Sequence, residues 1–459
     1  MKYISTRGQM KPVEFQEAVM TGLAPDGGLL LPASLPDVGD RLAAWAKLSF
    51  QDLAYEVISL FATDIPSDDL KKLINNSYAT FEHPEVAPTV EIGDFHILEL
   101  FHGPTLAFKD VALQLLGNLF EYILEQRGGT LNILGATSGD TGSAAIHGVR
   151  GKPKINIFIM HPAGRTSPLQ EKQMTSVLDR NVFNLAVDGT FDDCQHIMKT
   201  TFADVDFKTE YALGAVNSVN WARVLAQTVY YFYSAFQVME KTGTNTVQFS
   251  VPTGNFGDIL AGYLAQRMGL PISKLILATN ENDILSRFFN TGIYGMADVV
   301  PTISPSMDIQ VASNFERYLY YRAGQEPEKV VALLDGFKKS GTLAVDVNEN
   351  GVVDDLFVAG RGDTASTLAT IKRYKEQFGY VLDPHTAVGV LVAEAHRSAD
   401  VPTICLATAH PAKFTQAIID ATGEAVHHPT LDALADAETR CDSIANHVDA
   451  VKQYLVEHI

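Results

Sequence analysis

The sequence predicts an α/β protein with a mostly parallel sheet, and three observations predict it. Short, mostly apolar runs recur, as in LNILG (131–135), INIFIM (155–160), KLILAT (274–279) and TICLAT (403–408). Stretches with helical spacing stand between them, and glycine-bearing loops join the two. Strands this apolar are buried on both faces, as in a parallel sheet covered by helices on each side. At 459 residues the chain exceeds one ordinary core and divides into two or three domains or lobes.

The elements follow in order. Residues 1–90 form a mixed, mostly helical region, with amphipathic spacing at 13–23 and 49–62 and Pro- and Gly-rich turns between. APDGGLLLP (24–32) is a turn and a short apolar run closed by proline. FEHPEVAPTVEIGDFHILEL (81–100) is a linker passing into a strand. In HGPTLAFKDVALQLLG (102–117) a loop enters a helix, because Val111, Ala112, Leu115, Leu116, Leu119 and Ile123 space one buried face. LNILG, the loop ATSGDTG and SAAIHGV then read as strand, turn and helix. INIFIM and VFNLAV (182–187) are strands, and 191–203 is helical. VQFSV (247–251) leads through PTGNFG into the helical DILAGYLAQRMG, and KLILAT and TICLAT complete the strands. Residues 290–360 break the rhythm and read as an insertion of loops and helices.

Composition narrows the function. The chain is 46% hydrophobic and 19% charged, which is ordinary for a folded protein. A net charge of -19 opposes nonspecific attraction to nucleic acid and anionic lipid. No apolar run approaches the ~20 residues of a membrane span, so no membrane is expected. Cys194, Cys405 and Cys441 are scattered with no CxxC spacing, so neither a disulfide framework nor a metal is expected. A cytoplasmic protein of a reducing compartment is the expectation.

Five stretches carry chemistry. Lys109 opens a helix, where a cation meets the positive end of the dipole; that lowers its pKa and favours the free amine that Schiff-base chemistry needs. Read alone, FKD is a surface lysine lying over Phe108. GATSGDTGSAA (135–145) and VPTGNFGDILAG (251–262) place glycines between strand and helix, which serves either a tight turn or a set of backbone N–H groups converging on an anion. Neither ends in the GK[ST] of a nucleotide-binding loop. In AVNSVNWARVLAQ (215–227), Asn217, Ser218 and Asn220 gather donors before a helix, and Arg223 offers a planar fork for phosphate or carboxylate. In ATAHPAKF (407–414), Thr408 sits at the carboxyl end of a strand, where open α/β sheets bind ligands. His410 and Lys413 of that stretch are also candidates to face the cleft, but a cap and ordinary surface residues are the favoured reading.

Taken together, GLAPDGGLLLP (22–32), HGPTLAFKD (102–110), GATSGDTGSAA, NSVNWAR (217–223), PTGNFGD (252–258) and TAHPAKF (408–414) resemble the fold-type II family of pyridoxal-phosphate enzymes. Within it, the ordered set is similar to the threonine synthases of the longer form. The resemblance implies two doubly wound α/β lobes with mostly parallel sheets plus an N-terminal helical region. It implies an N-terminal region at 1–90, a large cofactor-binding lobe from 91–130 and 216–459 with an insertion at about 290–360, and a smaller mobile lobe at 131–215. Lys109 would carry pyridoxal 5'-phosphate and shuttle protons. Gly254, Asn255, Phe256, Gly257 and Asp258 match the cup for the cofactor phosphate, and Thr408 matches the hydroxyl that meets the pyridine nitrogen. Ser138, Asp140 and Thr141 match the loop over the substrate carboxylate and cofactor ring; many relatives carry asparagine in place of Asp140. Asn217, Ser218 and Arg223 match residues that hold a substrate phosphate.

The implied reaction turns O-phospho-L-homoserine and water into L-threonine and phosphate. Two phosphates, one on the cofactor and one on the substrate, would explain two anion cups. A threonine or serine dehydratase would share the lysine and the cofactor cup but would not need the donors at 217–223. A noncatalytic ligand-binding homologue would not need Lys109. The expected assembly is a monomer or homodimer.

Overall fold

The structure is a computed structural model and describes residues 1–459 apart from Ser138. Two sheets organise it. The larger has six strands in the order Phe357–Arg361, Ile272–Thr279, Val247–Pro252, Thr403–Ala407, Phe95–Glu99 and Thr89–Ile92. All its neighbours are parallel except the edge strand Thr89–Ile92. The smaller has five parallel strands in the order Asp442–Ile444, Val182–Val187, Ile155–Pro162, Leu131–Ala136 and Leu213–Gly214. The central strands of both sheets are buried along nearly their whole length, as their continuous apolar runs require. Among the described residues no helix is long and apolar enough to cross a membrane.

The N-terminal region is helical, with a small antiparallel ribbon in which Tyr3–Ser5 pairs with Leu30–Pro32. The expected lobe boundaries need correction at two places. Residues 216–459 do not all attach to the larger sheet: Asp442–Ile444 extends the smaller sheet, and Val448–His458 buries Val451 and Leu455 against its apolar cluster. The insertion also ends before Phe357, because Phe357–Arg361 is the outer strand of the larger sheet.

The helix Lys109–Arg127 runs between the two sheets, and its burial exceeds the one face that its spacing predicts. Leu113, Gln114, Gly117, Phe120 and Leu124 are buried too, because helices pack on several sides of it. Against Asp140–Val149 the fit depends on two glycines. A Cβ at Gly117 would lie 1.9 Å from the Gly148 carbonyl oxygen, and one at Gly148 would lie 2.5 Å from that of Leu113. Such close backbones bring the first turns of the two helices, with Lys109 and Asp140, to the same place.

Candidate active site

The site lies beyond the carboxyl ends of strands from both sheets, where open parallel sheets leave a crevice. Glu99 leads to the loop before Lys109, Ala136 to Asp140, Gly214 to Asn217, Pro252 to Gly254, and Ala407 to Thr408. The Lys109 and Thr408 loops are stitched together. The Phe108 N–H donates to the Thr408 carbonyl at 2.8 Å, and the His410 N–H donates to that of Leu106 at 3.0 Å. Leu106 adopts φ 58°, an uncommon left-handed turn for a branched residue, and this bends the loop into the helix.

Lys109 is the first helical residue, as expected, and its side chain is only 12% exposed. Burial pushes its amine down to about 8; Asp140 opposes this, and Arg223 and Lys413 add to it. Desolvation is thus the main cause, rather than the helix end. Asp140 lies 3.9 Å from Lys109 through Oδ2 and 3.1 Å from Lys413 Nζ through Oδ1. Gln170 donates to Oδ1 at 3.1 Å and the Ser306 hydroxyl to Oδ2 at 3.3 Å. Burial disfavours its ionisation, but Lys413, Lys109 and His385 overcome that and hold the carboxyl below the usual range. Asp110 points elsewhere: its carboxylate accepts the Thr105 N–H and hydroxyl, each at 2.8 Å.

The loop after Pro252 is an open nest. Phe256 adopts φ 63° and sends its ring into a cluster with Phe289, Phe315, Tyr318 and Phe357. Among the described residues no acceptor pairs with the backbone N–H of Gly254, Asn255, Phe256 or Gly257. Successive free N–H groups at the start of the helix Gly257–Arg267 suit an anion. A Cβ at Gly254 would lie 2.7 Å from the Ser306 carbonyl oxygen, so the loop is covered closely by the insertion. Asp258 departs from the expected role. Its Oδ1 accepts the hydroxyls of Tyr230 at 2.6 Å and Tyr231 at 2.9 Å, away from the nest. A carboxylate aimed into the nest would repel an anion.

Asn217 accepts the N–H groups of Val219 and Asn220 through Oδ1, so its oxygen caps the turn and its amide N–H groups face outward from that turn. Ser218 shares a 2.6 Å hydrogen bond with Ser313, whose hydroxyl donates to Asn255 Oδ1 at 3.1 Å. This joins the Asn217 segment to the nest. Arg223 is buried, and its Nη1 finds no partner among the described residues. Burial lowers its guanidinium to about 10. A buried, unpaired guanidinium needs an anion, and among the described residues no carboxylate pairs with it. Thr141 stands in the first turn of Asp140–Val149, and Thr408 is buried at its strand end. Ser138 lies outside the described residues.

Several contributors were not expected. Lys413, read as a surface residue, is fully buried, because its loop folds back over the HGPT turn; it donates to the Thr105 carbonyl at 2.5 Å. Asp383 and His385 form a buried pair at 2.9 Å, and His385 Nε2 accepts the Ser306 N–H at 3.2 Å. Thr386 donates to Asp383 and accepts the Thr408 N–H at 3.2 Å. The DPHT turn therefore steadies both Ser306 and Thr408. Arg317, also buried, donates to the carbonyls of Leu30 and Val219 and to Asn314 Oδ1, tying the N-terminal GLLLP to the Asn217 segment. DPHT reads in sequence as an N-cap followed by proline, and Arg317 is one cation in the first turn of the helix Phe315–Arg322; neither carries a functional signal.

These groups fit pyridoxal phosphate: a buried amine whose pKa is lowered to about 8, a nest of unpaired N–H groups for a phosphate, and a strand-end hydroxyl at Thr408. The model for pyridoxal-phosphate dependent enzymes matches residues 83–336, more than half of the chain. Fold and site thus define a fold-type II pyridoxal-phosphate-dependent enzyme. Models described as threonine synthase N terminus and threonine synthase, C-terminal match 2–78 and 386–455. Threonine synthase of Pseudomonas aeruginosa is 47% identical over 100% of this chain and 98% of its own length. That of Schizosaccharomyces pombe is 48% identical over 91% and 88%. A crystal structure of pyridoxal-phosphate-bound threonine synthase from Brucella melitensis superposes with a TM-score of 0.96 at 45% identity, covering 100% of this chain and 99% of that one. The chain belongs to the threonine synthase family.

Proposed function

We propose that the chain converts O-phospho-L-homoserine and water into L-threonine and phosphate. The observation that carries this reading is the presence of two separate anion-binding sets around one buried amine. The N–H groups of Gly254, Asn255, Phe256 and Gly257 would hold the cofactor phosphate. The unpaired Arg223, with the Asn217 amide and the Ser218 hydroxyl, would hold the substrate phosphate. Pyridoxal phosphate, when bound, supplies a conjugated ring that takes up the electron pair left at Cα.

The chain's own groups do the rest. Lys109 would hold the cofactor and, as the free amine, move protons one at a time at Cα and Cβ, releasing the first before taking the second. A buried amine with a pKa of about 8 can both accept and return a proton near neutral pH. Arg223 would stabilise the phosphate as it leaves Cγ. Thr141, at a helix N-terminus, would hold the substrate carboxylate, and Thr408 would face the pyridine nitrogen with a hydroxyl that does not enforce its protonation. Delivery of a proton to Cγ, addition of water at Cβ and return of a proton to Cα would complete L-threonine and leave Lys109 as it began.

Phosphate release from O-phospho-L-homoserine, with and without added cofactor, tests the proposal. Release should require the cofactor, and threonine or serine should yield little ammonia. Arg223→Ala should lower kcat/KM for phosphohomoserine by about 10²- to 10³-fold, the cost of one transition-state donor, while cofactor loading is retained. Equal loss of both would remove Arg223 from the substrate site, and rapid ammonia release from threonine would point to a dehydratase.

A further inference from the structure

We propose that Lys413 is a positioning residue: as the standing counter-ion of Asp140, it leaves the Lys109 amine free to lose its proton. The proposal rests on the reading of Lys109 as the reacting amine. One carboxylate faces two lysines, and the distances are unequal. Lys413 Nζ lies 3.1 Å from Asp140 Oδ1, whereas Lys109 Nζ lies 3.9 Å from Oδ2. The Lys413 side chain is 0% exposed, and its ammonium also donates to the Thr105 carbonyl on the loop that leads into Lys109. A buried cation so placed has no solvent to compensate it, so Asp140 is its required partner. Gln170 and the Ser306 hydroxyl complete the Asp140 shell.

The consequence falls on Lys109. With Lys413 absent, Asp140 would be a buried anion with Lys109 as its nearest lysine, and it would hold Lys109 protonated. With Lys413 present, the negative charge is already matched. The other charged groups facing Lys109 do not take over this role. Asp110 also favours the protonated amine, though more weakly than Asp140, while its carboxylate is held by Thr105; Arg223 is a cation that favours the neutral amine. His385 faces Asp140 rather than Lys109, and its Nε2 is occupied as an acceptor from the Ser306 N–H. The two lysines thus divide the work of one carboxylate: Lys413 carries the permanent charge and Lys109 the exchangeable proton.

The test is the pH dependence of pyridoxal phosphate uptake by the full-length, cofactor-stripped protein, followed by visible absorbance, together with the pH profile of kcat/KM. Lys413→Met should move the acidic limb up by about one pH unit, giving about tenfold slower uptake at neutral pH and recovery at alkaline pH. Lys413→Arg, which keeps the charge, should leave the limb in place. Asp140→Asn should move the limb down, and Lys413→Met added to Asp140→Asn should shift it less than it does alone. Uptake lowered by the same factor at every pH would mean a structural tether and overturn the proposal. So would an equal shift in both backgrounds. If Lys413→Met does not fold, an unmoved limb in Asp140→Asn also overturns it. Borohydride fixation separates this from the reading beneath it. If Lys109→Ala still fixes the cofactor at another lysine, the assignment of Lys109 fails; if it does not and the limbs stay unmoved, only the role of Lys413 fails.

Discussion

The loops after Ala136 and Pro252 begin alike. Each leaves a parallel strand, bends through glycine and enters a helix whose first turn carries an aspartate, Asp140 or Asp258. Both aspartates are buried, at 6% and 8% exposure. Their surroundings then diverge. Asp140 faces Lys413, Lys109 and His385 and is held below the usual carboxylate range. Asp258 faces two tyrosine hydroxyls; burial pushes it up to about 6, and those hydrogen bonds only partly offset the rise. The first loop brings a negative charge into the site to govern lysines. The second turns its aspartate away and leaves bare N–H groups for an anion. A glycine loop before a helix is therefore not one device, and the direction of one carboxylate separates a charge-setting loop from a phosphate nest.

That contrast can be broken by truncation. Asp140→Ala leaves Lys413 buried without an anion and should cost about 3–5 kcal/mol of unfolding free energy, the usual penalty for breaking a buried pair. Asp258→Ala leaves two tyrosine hydroxyls unpaired and should cost about 1–3 kcal/mol. Urea unfolding measures both, and phosphate release should fall far more in the first variant. Equal costs would mean that the two carboxylates do the same work.

pH separates the two more sharply. Asp258 binds its proton more tightly folded than unfolded. Its contribution is therefore full below the ordinary carboxylate pKa and is lost as pH rises through about 6. Asp140 is the reverse: its contribution is present above the ordinary value and is lost as pH falls through its lower folded pKa. Asp258→Asn should thus remove a decline of about 2–3 kcal/mol in stability between pH 4 and 6. Asp140→Asn should instead weaken the loss at lower pH. Urea melts across pH 3–7 check both.

The smallest expected effect concerns the nest. In Gly254→Ala the new Cβ would meet the Ser306 carbonyl at 2.7 Å, so the covering segment must shift. Affinity for pyridoxal phosphate, read by absorbance titration, should fall about tenfold, equivalent to about 1.4 kcal/mol. An unchanged affinity would place the phosphate elsewhere.

Much of the frame was legible in the residues. Runs such as INIFIM and KLILAT can only be strands buried on both faces, and glycine loops before helices marked both turns. Lys109 was legible because its setting was awkward for a surface cation. Less legible were groups whose meaning depends on what folds over them. HPAKF has no periodicity that points Lys413 inward. DPHT satisfies the rules of a helix start so fully that Asp383 and His385 need no other explanation. The attachment of Asp442–Ile444 to the smaller sheet was hidden because a short strand's partner is not encoded next to it.

The sequence by itself determined the alternation of strand and helix, the placing of glycine loops at helix starts and the presence of a lysine at one of them. Those are local matters of periodicity, backbone freedom and side-chain type. Only the tertiary structure decided which aspartate meets a cation, which N–H groups stay unpaired, and that Lys413 and Lys109 share one carboxylate. Charge and hydrogen bonding depend on distance and burial, and these are set when segments remote in the chain, such as 105, 140, 306 and 413, close on one another.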